Sequence, residues 1–175
     1  MSKTAIGALL ARHDPAGDRG QRRAAGIYGT IITAAIIDTA GGHVSTWQLV
    51  VSVFVTLLVY WAAEGYAELL GEHTQEGRLP SWKQVRASMA ARWPMVAASY
   101  LPLLALGVAR LAGASDSAAA WAGLIVALLL LVFHGWSAGR AARLEGKALL
   151  AVTLMAGALG VVMILLKELV LLHLH

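Results

Sequence analysis

Residues 45–73, "STWQLVVSVFVTLLVYWAAEGYAELLGEH", decide what kind of protein this is. From Ser45 to about Leu70 the run is mostly apolar and exceeds the about 20 residues that cross a hydrocarbon layer about 30 Å thick. Its last part, residues 59–73, carries Glu64, Glu68 and Glu72 four residues apart, so all three project from nearly one helical face. At about 1.5 Å per residue from Trp47, Glu64 lies about 25 Å down and Glu68 about 31 Å. Glu64 is then in the inner leaflet, Glu68 at its edge and Glu72 in water. An acid at that depth is paired or faces water, and is a functional hypothesis by default.

The rest of the chain agrees with this reading. Its 175 residues are 58% hydrophobic and 14% charged, with a mean hydropathy of +0.67. A soluble domain is about 45–50% apolar and about 25% charged. The excess is gathered into runs, which argues for an integral membrane protein. Further spans are expected over residues 24–40, 94–113, 118–137 and 148–166, giving five. The first is short and rich in small and hydroxyl residues, so it belongs inside the bundle. Gly26/Gly29 and Gly157/Gly160 would let helices approach closely, and Pro102 would kink the third span. Between spans two and three, Trp82, Val85, Met89 and Trp93 recur at helical spacing, opposite Lys83, Arg86 and Arg92. That pattern predicts a short amphipathic interfacial helix. Residues 4–12 could form another short surface helix.

The basic residues orient the chain. Twelve of the fourteen Lys and Arg fall in the tail 1–23, the loop 72–93 and the loop 138–147. Arg110 and Lys167 are the two exceptions. The positive-inside rule therefore selects N-terminus in and C-terminus out, with tryptophans near the span ends as an aromatic belt. The domain reading is a cytoplasmic tail, 1–23, and a transmembrane domain, 24–175. The same placement explains the net charge of +4 as topology and contact with anionic lipid, without nucleic acid. The expected location is a bacterial inner (plasma) membrane, with membrane lipids as partners. With no cysteine, disulfides, thiolate metal sites and cysteine nucleophiles are excluded. No HExxH, nucleophile elbow, Walker loop or Gly-x-Gly-x-x-Gly appears, so no enzyme and no cofactor are expected.

The polar residues inside the spans form two sets. Glu64, Glu68, His134, Tyr28 and Tyr100 share the inner leaflet and could meet. Asp38, Arg110, Lys167 and Glu168 lie in the outer half, where an Asp38–Arg110 pair is the structural reading and a permeation path the functional one. His134 is either a packing histidine or a proton or metal ligand.

"GIYGTIITAAIIDTAGG" followed by a span ending "WAAEGYAELLGEH" resembles the first two spans of the vacuolar iron transporter family. The segment "GWSAGRAARLEGKALLAVTLMAGALGVVMILLKEL" resembles that family's last hairpin. The resemblance implies a dimeric carrier exchanging Fe²⁺ or Mn²⁺ for protons between its first two helices. The chain departs from the family's pattern at Tyr28, where an acid is usual, and at Trp61, where a thioether is usual. Glu64 is displaced by one position, and the acidic metal-collecting helices between spans two and three are missing.

The leading functional expectation is a small cation carrier. Glu64 and Glu68 are its inner acceptors, Glu64, Glu68 and His134 its candidate metal ligands, and Tyr28 and Asp38 further ion-binding or proton-coupling candidates. Carboxylate and imidazole suit Mn²⁺, Fe²⁺ or H⁺ better than a soft metal. With five helices per copy, a site at a two-fold interface is plausible, so a homo-oligomer is expected, a dimer first. The alternative is a non-transporting assembly or interaction protein whose basic cytoplasmic face binds lipid or a partner.

Overall fold

The computed structural model describes residues 15–73 and 81–173. The surface helix expected over residues 4–12 lies outside the described residues, as do the side chains of Glu72, Lys167 and Glu168. Every element among the described residues is helical. In chain order they are α1 (Pro15–Ala40), α2 (Thr46–His73), α3 (Trp82–Arg92), α4 (Pro94–Ala97), α5 (Tyr100–Leu111), α6 (Asp116–Ala141) and α7 (Gly146–His173).

Local chemistry sets the helix ends. Gly41-Gly42 closes α1, with Gly42 at φ 81°, a conformation that costs glycine nothing. Ser45 and Gln48 then start α2 with reciprocal side-chain to backbone bonds. Ser81 and Gln84 do the same for α3. Each satisfies backbone N–H groups that have no partner within the helix. α1 begins nine residues before the expected span, taking in part of the tail read as polar.

α1 sits inside the bundle, against α2, α4 and α6. Thr30 and Thr33 are fully buried, and their hydroxyls donate to the carbonyls of Gly26 and Gly29 one turn back. Those hydroxyls are thus satisfied within their own helix. Gly29 packs against the backbone of Met95 so closely that a Cβ there would collide with it. On the far side, α7 packs on α6 where Gly135 meets Ala156 and Gly160 meets Leu128. Small residues here set the interhelical distance.

Among the described residues three runs are long and apolar enough to cross a membrane: Thr46–Gly71, Trp82–Leu111 and Asp116–Ala141, with Gly146–Val162 a shorter apolar helix. Large apolar side chains such as Val51, Val59, Leu104, Val108, Leu129 and Leu154 point outward, each more than half exposed. A water-facing surface would not carry so many, whereas a lipid-facing one requires them.

Two features correct the expectations. The amphipathic helix and the third span form one run of 30 residues, broken only at Trp93 and at Ala98–Ser99. Pro102 has no N–H to bond the Ala98 carbonyl, so the break falls four residues before it. Arg92 does not face water with Lys83 and Arg86. It is buried, 6% exposed. Val85 and Arg92 are seven residues apart, two turns, which puts Arg92 beside the apolar stripe rather than opposite it.

Candidate functional site

Among the described residues, each end of the bundle carries a hydrogen-bonded polar cluster built on a carboxylate. At the end formed by the α1 N-terminal half, the α2 C-terminal half and α3, Glu68 is the centre. It forms an ion pair with Arg92 and accepts hydrogen bonds from the Ser88 hydroxyl at 2.5 Å and the Gln21 amide at 2.8 Å. Arg92 also donates to the Ser88 hydroxyl at 2.9 Å. Beside this network the Trp61 indole N–H donates to the Met89 carbonyl at 2.9 Å, and Trp61 meets Trp93 edge to face. α1, α2 and α3 are thereby tied together through one carboxylate.

The position of Glu64 follows from the packing of α2. Its inward stripe runs at four-residue steps through Leu49, Val53, Leu57, Trp61, Gly65 and Leu69, all buried but the half-buried Trp61. Glu64 stands one residue before Gly65, about 100° around the helix, and is exposed. Glu68 stands equally far from Leu69, and its side chain reaches back to Arg92. Among the described residues Glu64 has no hydrogen bond or ion pair.

The inner set of candidates does not gather into one site. Tyr28 and Tyr100 point outward, 52% and 40% exposed. His134 is half-buried on α6, its Nε2 lying against Gly26 of α1. Its Nδ1 is buried, with the Leu130 carbonyl one turn back as neighbour, and lacks a hydrogen bond of ordinary geometry. Among the described residues no three His, Asp or Glu side chains are placed to hold a metal ion.

At the opposite end the acceptor is Asp116, on the first turn of α6. One carboxylate oxygen accepts from the Thr46 backbone N–H at 3.0 Å and the Thr46 hydroxyl at 2.5 Å. Arg110 lies 3.2 Å from the same oxygen. The carboxylate therefore caps the start of α2 from another helix while sitting at the start of its own, where negative charge is favoured twice over. Arg110 pairs with Asp116 and not with Asp38, which corrects the expected outer pair. Asp38 is buried and borders a cavity of about 140 Å³ with Ser117, Ala120 and Trp121.

Gln21, Ser88, Arg92, Thr46 and Asp116 were absent from the sequence-derived candidates. Ser88 and Arg92 carried a signal, being four residues apart on the face next to Met89. Gln21, Thr46 and Asp116 carried none, because their partners lie 47 and 70 residues away in the chain. No family model, curated protein or solved structure matches the chain.

Proposed function

We propose that this is an integral membrane protein that serves as an assembly or interaction subunit, its basic end contacting anionic lipid. In this reading the chain crosses the bilayer five times, α1 and α7 joining the three long apolar runs. Their lengths of 26 and 28 residues suffice, and the charge asymmetry favours N-terminus in and C-terminus out. The bacterial inner membrane expected from the sequence is kept as part of this reading.

The observation that carries the proposal is the state of Glu68. A carrier must release its acceptor carboxylate to cargo and back, but Glu68 is held by a guanidinium, a hydroxyl and an amide at once. Such a network ties helices together. Removing either charge would leave the other poorly solvated.

A second reading, a cation carrier exchanging Fe²⁺ or Mn²⁺ for protons, is favoured by Glu64. That acid is exposed and unbonded at inner-leaflet depth, and a second copy of the chain could cover it. The resemblance to vacuolar iron transporters belongs to this reading and rests on the sequence motifs alone.

Reconstitution separates the two. The chain in proteoliposomes, with Mn²⁺ outside and a pH gradient imposed, is expected to match protein-free vesicles. Metal flux that Glu64→Gln abolishes while the protein stays folded would overturn the assembly reading in favour of the carrier.

A further inference from the structure

The basic end holds a second feature, separate from the Glu68 network. Between the first turns of α1 and the last turn of α6 lies an open cleft of about 750 Å³. Among the described residues it is lined by Arg19, Arg23 and Arg143 together with Ala24, Ile27 and Ala138, and by no acidic side chain. The three arginines are exposed, whereas Ile27 and Ala138 are half-buried. The cleft is thus cationic on its open side and apolar at its floor. The start of one helix and the end of another meet here, so their dipoles oppose, and among the described side chains the charge at the cleft is that of its guanidinium groups, Arg23 and Arg143 foremost. The volume falls within the about 300–1,000 Å³ usual for small-ligand clefts.

The backbone at Arg143 adds an independent observation. α5 and α6 end in the same turn. At α5 the N–H of Gly113 bonds to the Arg110 carbonyl and that of Ala114 to Ala109; at α6 the N–H of Arg143 bonds to Arg140 and that of Leu144 to Gly139. This turn needs a left-handed residue, and glycine is its usual occupant. α5 uses Gly113, at φ 93°, but α6 uses Arg143, at φ 57°. A long side chain has been accepted where it strains the backbone, and its guanidinium stands at the cleft. Observed strain of this kind points to function.

We propose that the cleft binds a phosphate group carried on an amphiphile, the headgroup of an anionic phospholipid being the source that best fits the apolar floor. Planar guanidinium groups match phosphate oxygens in pairs. This inference deepens the reading of the basic end as lipid-facing and rests on it.

The test uses the full chain in nanodiscs of phosphatidylcholine doped with phosphatidylglycerol, with lipid retention read by native mass spectrometry. A parallel arm adds inorganic phosphate to the buffer. Wild type is expected to retain phosphatidylglycerol over phosphatidylcholine. The R19Q/R23Q/R143G variant should retain it about tenfold less, while K83Q, which lies outside the cleft, matches wild type. R143G alone should unfold no earlier than wild type, since glycine accepts the turn, so a loss of lipid is not a loss of fold. Displacement of the lipid by inorganic phosphate would support phosphate as the group recognised and name the free ion as a competing source. Retention unchanged in the triple variant overturns the proposal. So does an equal loss in K83Q, which would leave a diffuse basic face standing without a site. Metal flux dependent on Glu64 would instead remove the proposed function and leave the lipid result untouched.

Discussion

The two polar clusters contain the same chemistry in different surroundings. Each joins an acid to an arginine and a hydroxyl, and each ties together helices far apart in sequence. In the Arg92–Glu68 pair the side chains are 7% and 22% exposed; in the Arg110–Asp116 pair they are 44% and 38% exposed. Burial decides what each is worth. A buried pair returns little net energy when made but is very costly to halve, because the surviving charge has neither partner nor water. An exposed pair is screened and contributes little. The first cluster is a structural tie whose parts cannot be removed singly, and the second is a capping arrangement that tolerates loss.

The largest effect tests that contrast directly. Arg92→Ala should lower the unfolding free energy in detergent by about 3 kcal/mol, since Glu68 keeps its charge in a poorly solvated place. Pairing it with Glu68→Gln should recover more than half of the loss. If the single variant unfolds with wild type, the buried cluster is no different in kind from the exposed one.

Next in size is a packing change at the same end. Gly29→Ala puts a methyl group into the Met95 backbone. Overpacking of this sort costs about 1–3 kcal/mol, and it should show as a lower unfolding midpoint. The control is Gly20→Ala, where a Cβ meets nothing within 4 Å; it should not lower the midpoint.

At the other end, Asp116→Asn should lower the midpoint less than either change, and the deficit should shrink as salt is added. The Arg92→Ala deficit should not shrink, because a buried pair is hardly screened. Equal salt dependence in the two variants would dissolve the distinction between the ends. Smallest of all, Glu64→Gln should change the unfolding free energy by no more than about 0.5 kcal/mol, as for an exposed side chain outside any network.

How much was legible beforehand varied with the range of the interaction. The membrane class, the long apolar helices and the close-approach roles of Gly29 and Gly160 follow from local pattern. The helix starts at Ser45 and Ser81 are equally local, since each capping side chain bonds within three residues. Arg92 was misplaced through its angle on the helix: two full turns from Val85 set it beside the apolar stripe, where a charge count alone places it with Lys83 and Arg86. The candidate cluster of Glu64, Glu68, His134, Tyr28 and Tyr100 was drawn from depth, and depth leaves rotation about the helix axis open. Glu64 and Glu68 share a face and nearly a depth, yet only Glu68 meets a partner.

By itself, the sequence determined that the chain is helical and lipid-facing, which residues are small enough for helices to touch, and which end is basic. These are properties of spacing and composition, set by the 1.5 Å rise and the cost of exposing backbone to lipid. Only the tertiary structure decided which acid is neutralised, that Asp116 caps a helix 70 residues earlier, and that three arginines from α1 and the turn after α6 border one cleft. Those outcomes depend on how each helix is turned towards its neighbours. The packing of the whole bundle sets that rotation, and no single helix encodes it.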